Sequence, residues 1–125
     1  TRLANCDKVC TMTVPKIDPA TDQAARAFLT RVLRRFDLAG AILFGSRARR
    51  NFHPESDADV AVLLRGQTGK FLPTKLELAD MAYDVLLETG IRVQAFPIWE
   101  DEWAHPERYS NPRLLHNIKH EGVRL

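Results

Sequence analysis

The sequence predicts one small domain of the α+β (α/β) class. Its 125 residues are the length of a single ordinary domain. Apolar residues make up 45% and charged residues 27%, which supports a packed core and excludes a disordered, collagenous or coiled-coil chain. The patterning then alternates: helix, strand, short helix, strand, helix, strand, helical tail. No run approaches the roughly 20 apolar residues of a membrane-spanning helix, so no membrane partner is expected.

The elements follow in order. Thr1 to Thr11 shows no helical or strand periodicity and is expected to be a flexible tail or upstream extension, with a single domain over 12–125. Its two cysteines, Cys6 and Cys10, have the spacing of neither a zinc framework nor a disulfide scaffold. No secretory leader is visible, and a reducing, cytoplasmic setting is the expectation. Asp18 or Thr21 can cap a first helix, with Pro19 at an early position. Ala25, Phe28, Leu29, Val32, Leu33 and Phe36 share one of its faces.

Residues 39–44 read as a short buried strand that stops at Gly45-Ser46, and a short helix or turn follows through Arg50. Asn51 to Ser56 is a loop by its turn residues and Pro54. Asp57 to Leu64 is a strand with an acidic entrance and an apolar body. A helix from Pro73 or Thr74 to Thr89 carries Leu76, Ala79, Tyr83 and Leu86 or Leu87 on one face, and Gly90 ends it. Ile91 to Ile98 is a third strand. Asn111-Pro112 is a cap and first position for a last helix that closes at Gly122.

The stretch that carries chemistry is Gly45-Ser46, ten residues, then Asp57-x-Asp59. A strand that ends in Gly-Ser and turns into a helix offers backbone N–H groups, a hydroxyl and a positive dipole end to a phosphate. Asp57 and Asp59 lie two apart on a strand, so both side chains leave it on one face, roughly 7 Å apart. Two carboxylates beside a phosphate cradle are hard oxygen ligands suited to Mg²⁺. Four fixed positions at about 7% usage each, over some 125 starting points, give roughly 0.003 chance matches. The net charge of +2 does not announce nucleic-acid binding, and nucleic acid is not expected as a direct substrate.

On these residues, Gly45-Ser46-Arg47-Ala48-Arg49 and Ser56-Asp57-Ala58-Asp59 with the apolar run behind them, the chain resembles the minimal nucleotidyltransferases of the DNA polymerase β-like superfamily. The motif match spans about Phe44 to Leu64. Element order and the Glu121-Gly122 tail extend it more weakly to the end of the chain. The resemblance implies a small mixed sheet with helices packed on it, the polymerase β-like palm. It implies Mg²⁺ held by Asp57 and Asp59 as catalytic carboxylates, and an NTP, with ATP expected, bound by Gly45, Ser46, Arg47 and Arg49. It implies transfer of NMP to a hydroxyl. Many such proteins are antitoxins paired with a HEPN-domain toxin, so a HEPN partner, with a tyrosine as acceptor, is implied as well.

Two positions depart from that family. Arg50 stands where the family usually has Gly. The third carboxylate, on a later strand facing the first two, aligns with Gln94, an amide that carries no charge and cannot act as a general base. Glu88, Glu100, Asp101 and Glu102 are acids nearby in sequence, without that strand position. Two functions follow: an Mg²⁺-dependent nucleotidyltransferase acting on a partner protein, or a catalytically weak or inactive module of the same fold that neutralises a partner by binding it. Transfer to a small molecule such as an aminoglycoside fits poorly, because such enzymes usually carry a further acceptor domain.

Overall fold

The structure, a computed structural model, describes residues 17–125, so the expectations for Thr1–Thr11 lie outside the described residues. Asp18 caps α1 (Pro19–Leu33): its carboxylate accepts the Thr21 N–H at 3.2 Å and also the Thr21 hydroxyl, and Pro19 takes the first helical position. Then come β1 (Leu38–Phe44), α2 (Ser46–Arg49), β2 (Ala58–Leu64), α3 (Phe71–Thr89) and β3 (Val93–Trp99). The chain closes with α4 (Glu100–Ala104), one 3₁₀ turn (Pro106–Arg108), α5 (Pro112–Glu121) and β4 (Val123–Arg124). Among the described residues no helix is long and apolar enough to cross a membrane.

The strands form one mixed sheet in the order β3-β2-β1-β4. β1 is antiparallel to β2 and to β4. β2 and β3 are parallel, joined by the crossover helix α3, because a parallel pair needs a long connection. Alternate strand residues serve two cores. Ala41, Leu43, Val60 and Val62 pack with Phe28 and Val32 of α1 and with Leu78, Ala82 and Val85 of α3. Ile42, Phe44, Ala61, Leu63 and Ile98 pack on the other side with Tyr109 and with Leu115 and Ile118 of α5.

The helix caps fall where the residue types put them. The Asn111 side chain accepts the Leu114 N–H at 3.3 Å and Pro112 opens α5. Gly90 ends α3 at φ 79°, its N–H bonded to the Leu86 carbonyl at 2.8 Å. α5 closes at Gly122 as the sequence reading expects, and the residues beyond it add a two-residue strand it did not foresee: Val123 pairs with Leu43 and Arg124 with Ile42. α3 opens at Phe71, ahead of the Pro73 or Thr74 expected. The face of α3 that carries Leu76, Ala79, Tyr83 and Leu87 is solvent-exposed, and the core face is Leu78, Ala82 and Val85. α3 has two apolar faces, and the sheet takes the one with the smaller side chains.

Candidate functional site

The Gly45-Ser46 turn and the acidic entrance of β2 meet because β1 and β2 are antiparallel neighbours, with Phe44 opposite Asp59. Gly45 has φ 78°, a conformation that side chains other than glycine rarely adopt. A Cβ there would collide with the Asp59 carboxylate. A side chain there would be strained by the turn and would have to displace the Asp59 carboxylate. Ser46 opens α2 directly behind it, and no side chain caps that helix start.

Asp59 lies half-buried on the face of the sheet that also carries Ala61 and Leu63. Burial, then the negative charge of Asp57, push its carboxyl up to about 6; Arg49 opposes the shift and Glu121 adds to it. Asp57, Arg49 and Glu121 thus all lie within electrostatic reach of Asp59. The aromatic rings of Phe44 and Phe96, 5.3 Å apart, border the acids on this face. Lys75 reaches from α3 over Phe96, its ammonium 4.9 Å from the ring centre, and donates to the Ala95 carbonyl at 2.9 Å.

Gln94 pairs with Asp59 across the parallel β2–β3 ladder. In-register residues of a parallel pair leave the sheet on the same side, so the amide stands beside the carboxylate, and it is exposed. The four other acids considered lie elsewhere. Glu88 pairs with Arg31, Glu100 caps the Gly66 N–H at 2.9 Å, Asp101 pairs with Arg108 at 2.7 Å, and Glu102 accepts the Trp99 N–H at 3.1 Å. The parallel register explains this for the run 100–102. Trp99 is level with Leu64, at the opposite end of the sheet from Asp59.

The two arginines of the motif part company. Arg49 is exposed and its Nη1 donates to both carboxylate oxygens of Glu121 at 3.1 Å. Arg47, assigned by the sequence to the phosphates, is only 2% exposed. Its guanidinium donates to the Ser56 carbonyl at 2.8 Å, the Pro54 carbonyl at 3.1 Å and the Thr21 hydroxyl at 2.7 Å. It also lies 4.5 Å from the Phe52 ring centre. Each of its three nitrogens donates to one of these partners, so the Arg47 side chain ties α1 and the 51–57 loop together, directly ahead of Asp57. Arg50 has φ 64°, alone among described non-glycine residues in being positive, which is the conformation a glycine would take without strain.

The sequence reading missed Glu121 and Lys75 as neighbours of the site. Glu121 arrives because α5 ends at Gly122, where a Cβ would collide with Ile42 and the Ile118 carbonyl, and β4 then docks on β1. Nothing local in the sequence signals either contact. Among the described residues no group of three or more His, Cys, Asp or Glu gathers to hold a metal alone. His116 and His120 stack on each other at 6.3 Å without an acidic third member. Asp57 and Asp59 remain as two hard oxygen donors whose mutual repulsion a divalent cation would relieve. Two carboxylates suit Mg²⁺, which commonly takes its other ligands from phosphate and water.

A family model described as "Nucleotidyltransferase domain" matches residues 25–121. A search of curated proteins finds no match. Among solved structures, a protein described as a "putative nucleotidyltransferase" from Sulfolobus solfataricus superposes with a TM-score of 0.54. It shares 17% identity over 92% of this chain and 90% of its own, which shows a common fold. With the family match spanning most of the described domain, and the Gly-Ser turn meeting the acidic strand inside it, the chain belongs to the nucleotidyltransferase domain family.

Proposed function

We propose that this chain binds a nucleoside triphosphate with Mg²⁺, ATP being the expected nucleotide, and directs its NMP group to a hydroxyl of a partner protein. The observation that carries this reading is the packing of the Asp59 carboxylate against Gly45, with the charge of Asp57 beside it. Asp57 and Asp59 would hold the metal, which when bound supplies charge neutralisation for the departing pyrophosphate. The Gly45-Ser46 turn receives the phosphates. Arg49 is the exposed cation of the turn, and it must exchange Glu121 for phosphate to contribute. The acceptor oxygen bonds to the α-phosphorus, the bond to the pyrophosphate oxygen breaks, and the acceptor proton leaves to solvent.

Gln94 bears on the rate. It stands in register with Asp59, where a carboxylate could take the acceptor proton, and its amide cannot. This favours a second reading, a nucleotide-binding module that neutralises its partner by complex formation with little turnover. A HEPN toxin as that partner rests on the motif resemblance. Incubation of the chain with labelled ATP, Mg²⁺ and a co-purified HEPN-type partner separates the two. Label transferred to the partner supports the enzyme. A stable complex without label supports the binding module. Neither label nor complex removes the partner assignment.

A further inference from the structure

The reacting groups of the site follow one another across three adjacent strands. Phe44, the last residue of β1, lies opposite Asp59 of β2, and Asp59 is level with Gln94 of β3. In a phosphoryl displacement the attacking and leaving oxygens are roughly in line. With the departing pyrophosphate at the Gly45-Ser46 turn and the reacting phosphorus over Asp59, the acceptor oxygen arrives from the Gln94 side. β3 is an edge strand, so the acceptor comes in over the open edge of the sheet. Strand addition there is blocked: Pro97 lacks an N–H, and the Lys75 ammonium occupies the Ala95 carbonyl. The acceptor is therefore held by side chains.

At that edge, between β3 and α3, a cavity of about 360 Å³ opens. Lys75, Arg92 and Gln94 line it together with Ala79, Tyr83 and Leu86, and no acid does. Lys75 lies over Phe96, two residues beyond Gln94, and Arg92 precedes Gln94 by two, so the cations flank the amide along the strand. Among the described residues neither cation has a carboxylate within ion-pair distance. The two glutamates of α3, Glu77 and Glu88, are engaged by Arg35 and Arg31, and Asp80 and Asp84 lie outside the cavity. Two cations, an amide and hydrocarbon walls suit an anionic group carried on an apolar body. A nucleic-acid end would call for cations tracking a backbone, and beyond Lys75 and Arg92 the walls are apolar.

We propose that this cavity is the acceptor subsite, selecting a protein segment whose reactive hydroxyl is flanked by acidic and apolar side chains. The inference rests on the nucleotidyl-transfer reading of the site and adds the chemistry of the acceptor. A carboxylate of the segment meets Lys75 or Arg92, whose charges nothing else in the cavity answers. An apolar side chain fills the hollow against Ala79 and Leu86. The hydroxyl is left at Gln94, whose amide can hold it by a hydrogen bond without taking its proton.

Arrays of tyrosine-, serine- and threonine-centred peptides with varied flanks, probed with the labelled full chain, Mg²⁺ and the non-transferable analogue α,β-methylene ATP, test this without turnover. Peptides with Asp or Glu beside the hydroxyl residue should be retained at least about threefold better than their Asn or Gln counterparts. Arg92→Glu, on an exposed side chain, should abolish that preference, and Lys75→Glu combined with it should turn the preference toward Lys and Arg. Lys75→Met keeps the hydrocarbon stem over Phe96; it should weaken acidic peptides while leaving the affinity for ATP with Mg²⁺ within about threefold of wild type. Retention indifferent to peptide charge, a preference unchanged in Arg92→Glu, or single-stranded oligonucleotides bound in place of peptides would overturn the proposal. So would ATP affinity lost by more than about tenfold in Lys75→Met, which would make the cavity part of the nucleotide site. If ATP binds wild type and no peptide does, this inference alone falls; if ATP does not bind, the nucleotidyl-transfer reading falls and takes it along.

Discussion

Asp59 on β2 and Gln94 on β3 stand side by side on one face of the sheet, the carboxylate partly buried and the amide open to solvent. The position at which the chain departs from the minimal nucleotidyltransferases it resembles thus lies next to Asp59, one of the two acids proposed to hold the metal. Gln94→Asp is expected to raise NMP transfer by at least about tenfold, with the roughly 10² to 10⁴ of a well-placed general base as the ceiling. The new charge would push Asp59 further up, so the pH optimum of the variant should move to higher pH. Steady-state transfer of labelled nucleotide measures both. Unchanged transfer would show that position 94 does not reach the acceptor.

The acidity of Asp59 makes folding depend on pH. Its folded value is about 6 against an ordinary 3.8, raised by burial first and the charge of Asp57 second. Between about 4 and 6 the folded chain therefore holds a proton that the unfolded chain releases. Stability should fall as pH rises through that window in metal-free buffer. Asp59→Asn should remove this fall and raise the melting temperature at pH 7. Thermal melts of both proteins from pH 4 to pH 7 check it, and parallel profiles would contradict it.

Arg47 and Arg49 should fail in different ways. Arg47→Ala strands the Ser56 and Pro54 carbonyls and the Thr21 hydroxyl. It should cost about 3 kcal/mol or more, near 10 °C in melting temperature. Arg49→Ala removes an exposed ion pair and should cost under about 1 kcal/mol while weakening nucleotide binding. Differential scanning calorimetry and nucleotide titration on both variants distinguish a structural arginine from a phosphate-facing one.

Arg50→Gly should stabilise the chain. The left-handed backbone at φ 64° strains any side-chain-bearing residue there. Relief should be worth about 0.5–1 kcal/mol, or roughly 2–4 °C. Loss of the Arg50 charge near Asp18 works against this at the scale of a surface ion pair. A drop in melting temperature would show that the charge outweighs the strain.

What could be read from the sequence was local. Asp18 and Asn111 announce their helices because a cap is a contact within three residues. Asp57-x-Asp59 was legible as an acidic strand entrance, and the charge of Asp57 does reach Asp59, but the strand itself begins at Ala58, so Asp57 lies one residue ahead of it and not on it as expected. What was not legible depends on partners distant along the chain. Arg47 and Arg49 are two residues apart with the same charge, and only the fold buries one under Thr21 and leaves the other to Glu121. On α3 the periodicity found the Leu76–Tyr83 face correctly as a face. With apolar residues on two sides, it could not say which one meets the sheet. Glu121 reaches the site only because Gly122 packs on Ile42 and the last residues add a strand to β1.

The central claim is that Asp57 and Asp59 together receive a metal-bound triphosphate at the Gly45-Ser46 turn. Isothermal titration of ATP into wild type and Asp57→Asn, each with and without Mg²⁺, tests it most directly, because it requires no turnover and is indifferent to Gln94. Binding is expected in one of the four cases, wild type with Mg²⁺, with affinity lost by at least about tenfold in the other three. Equal affinity in all four would contradict the account.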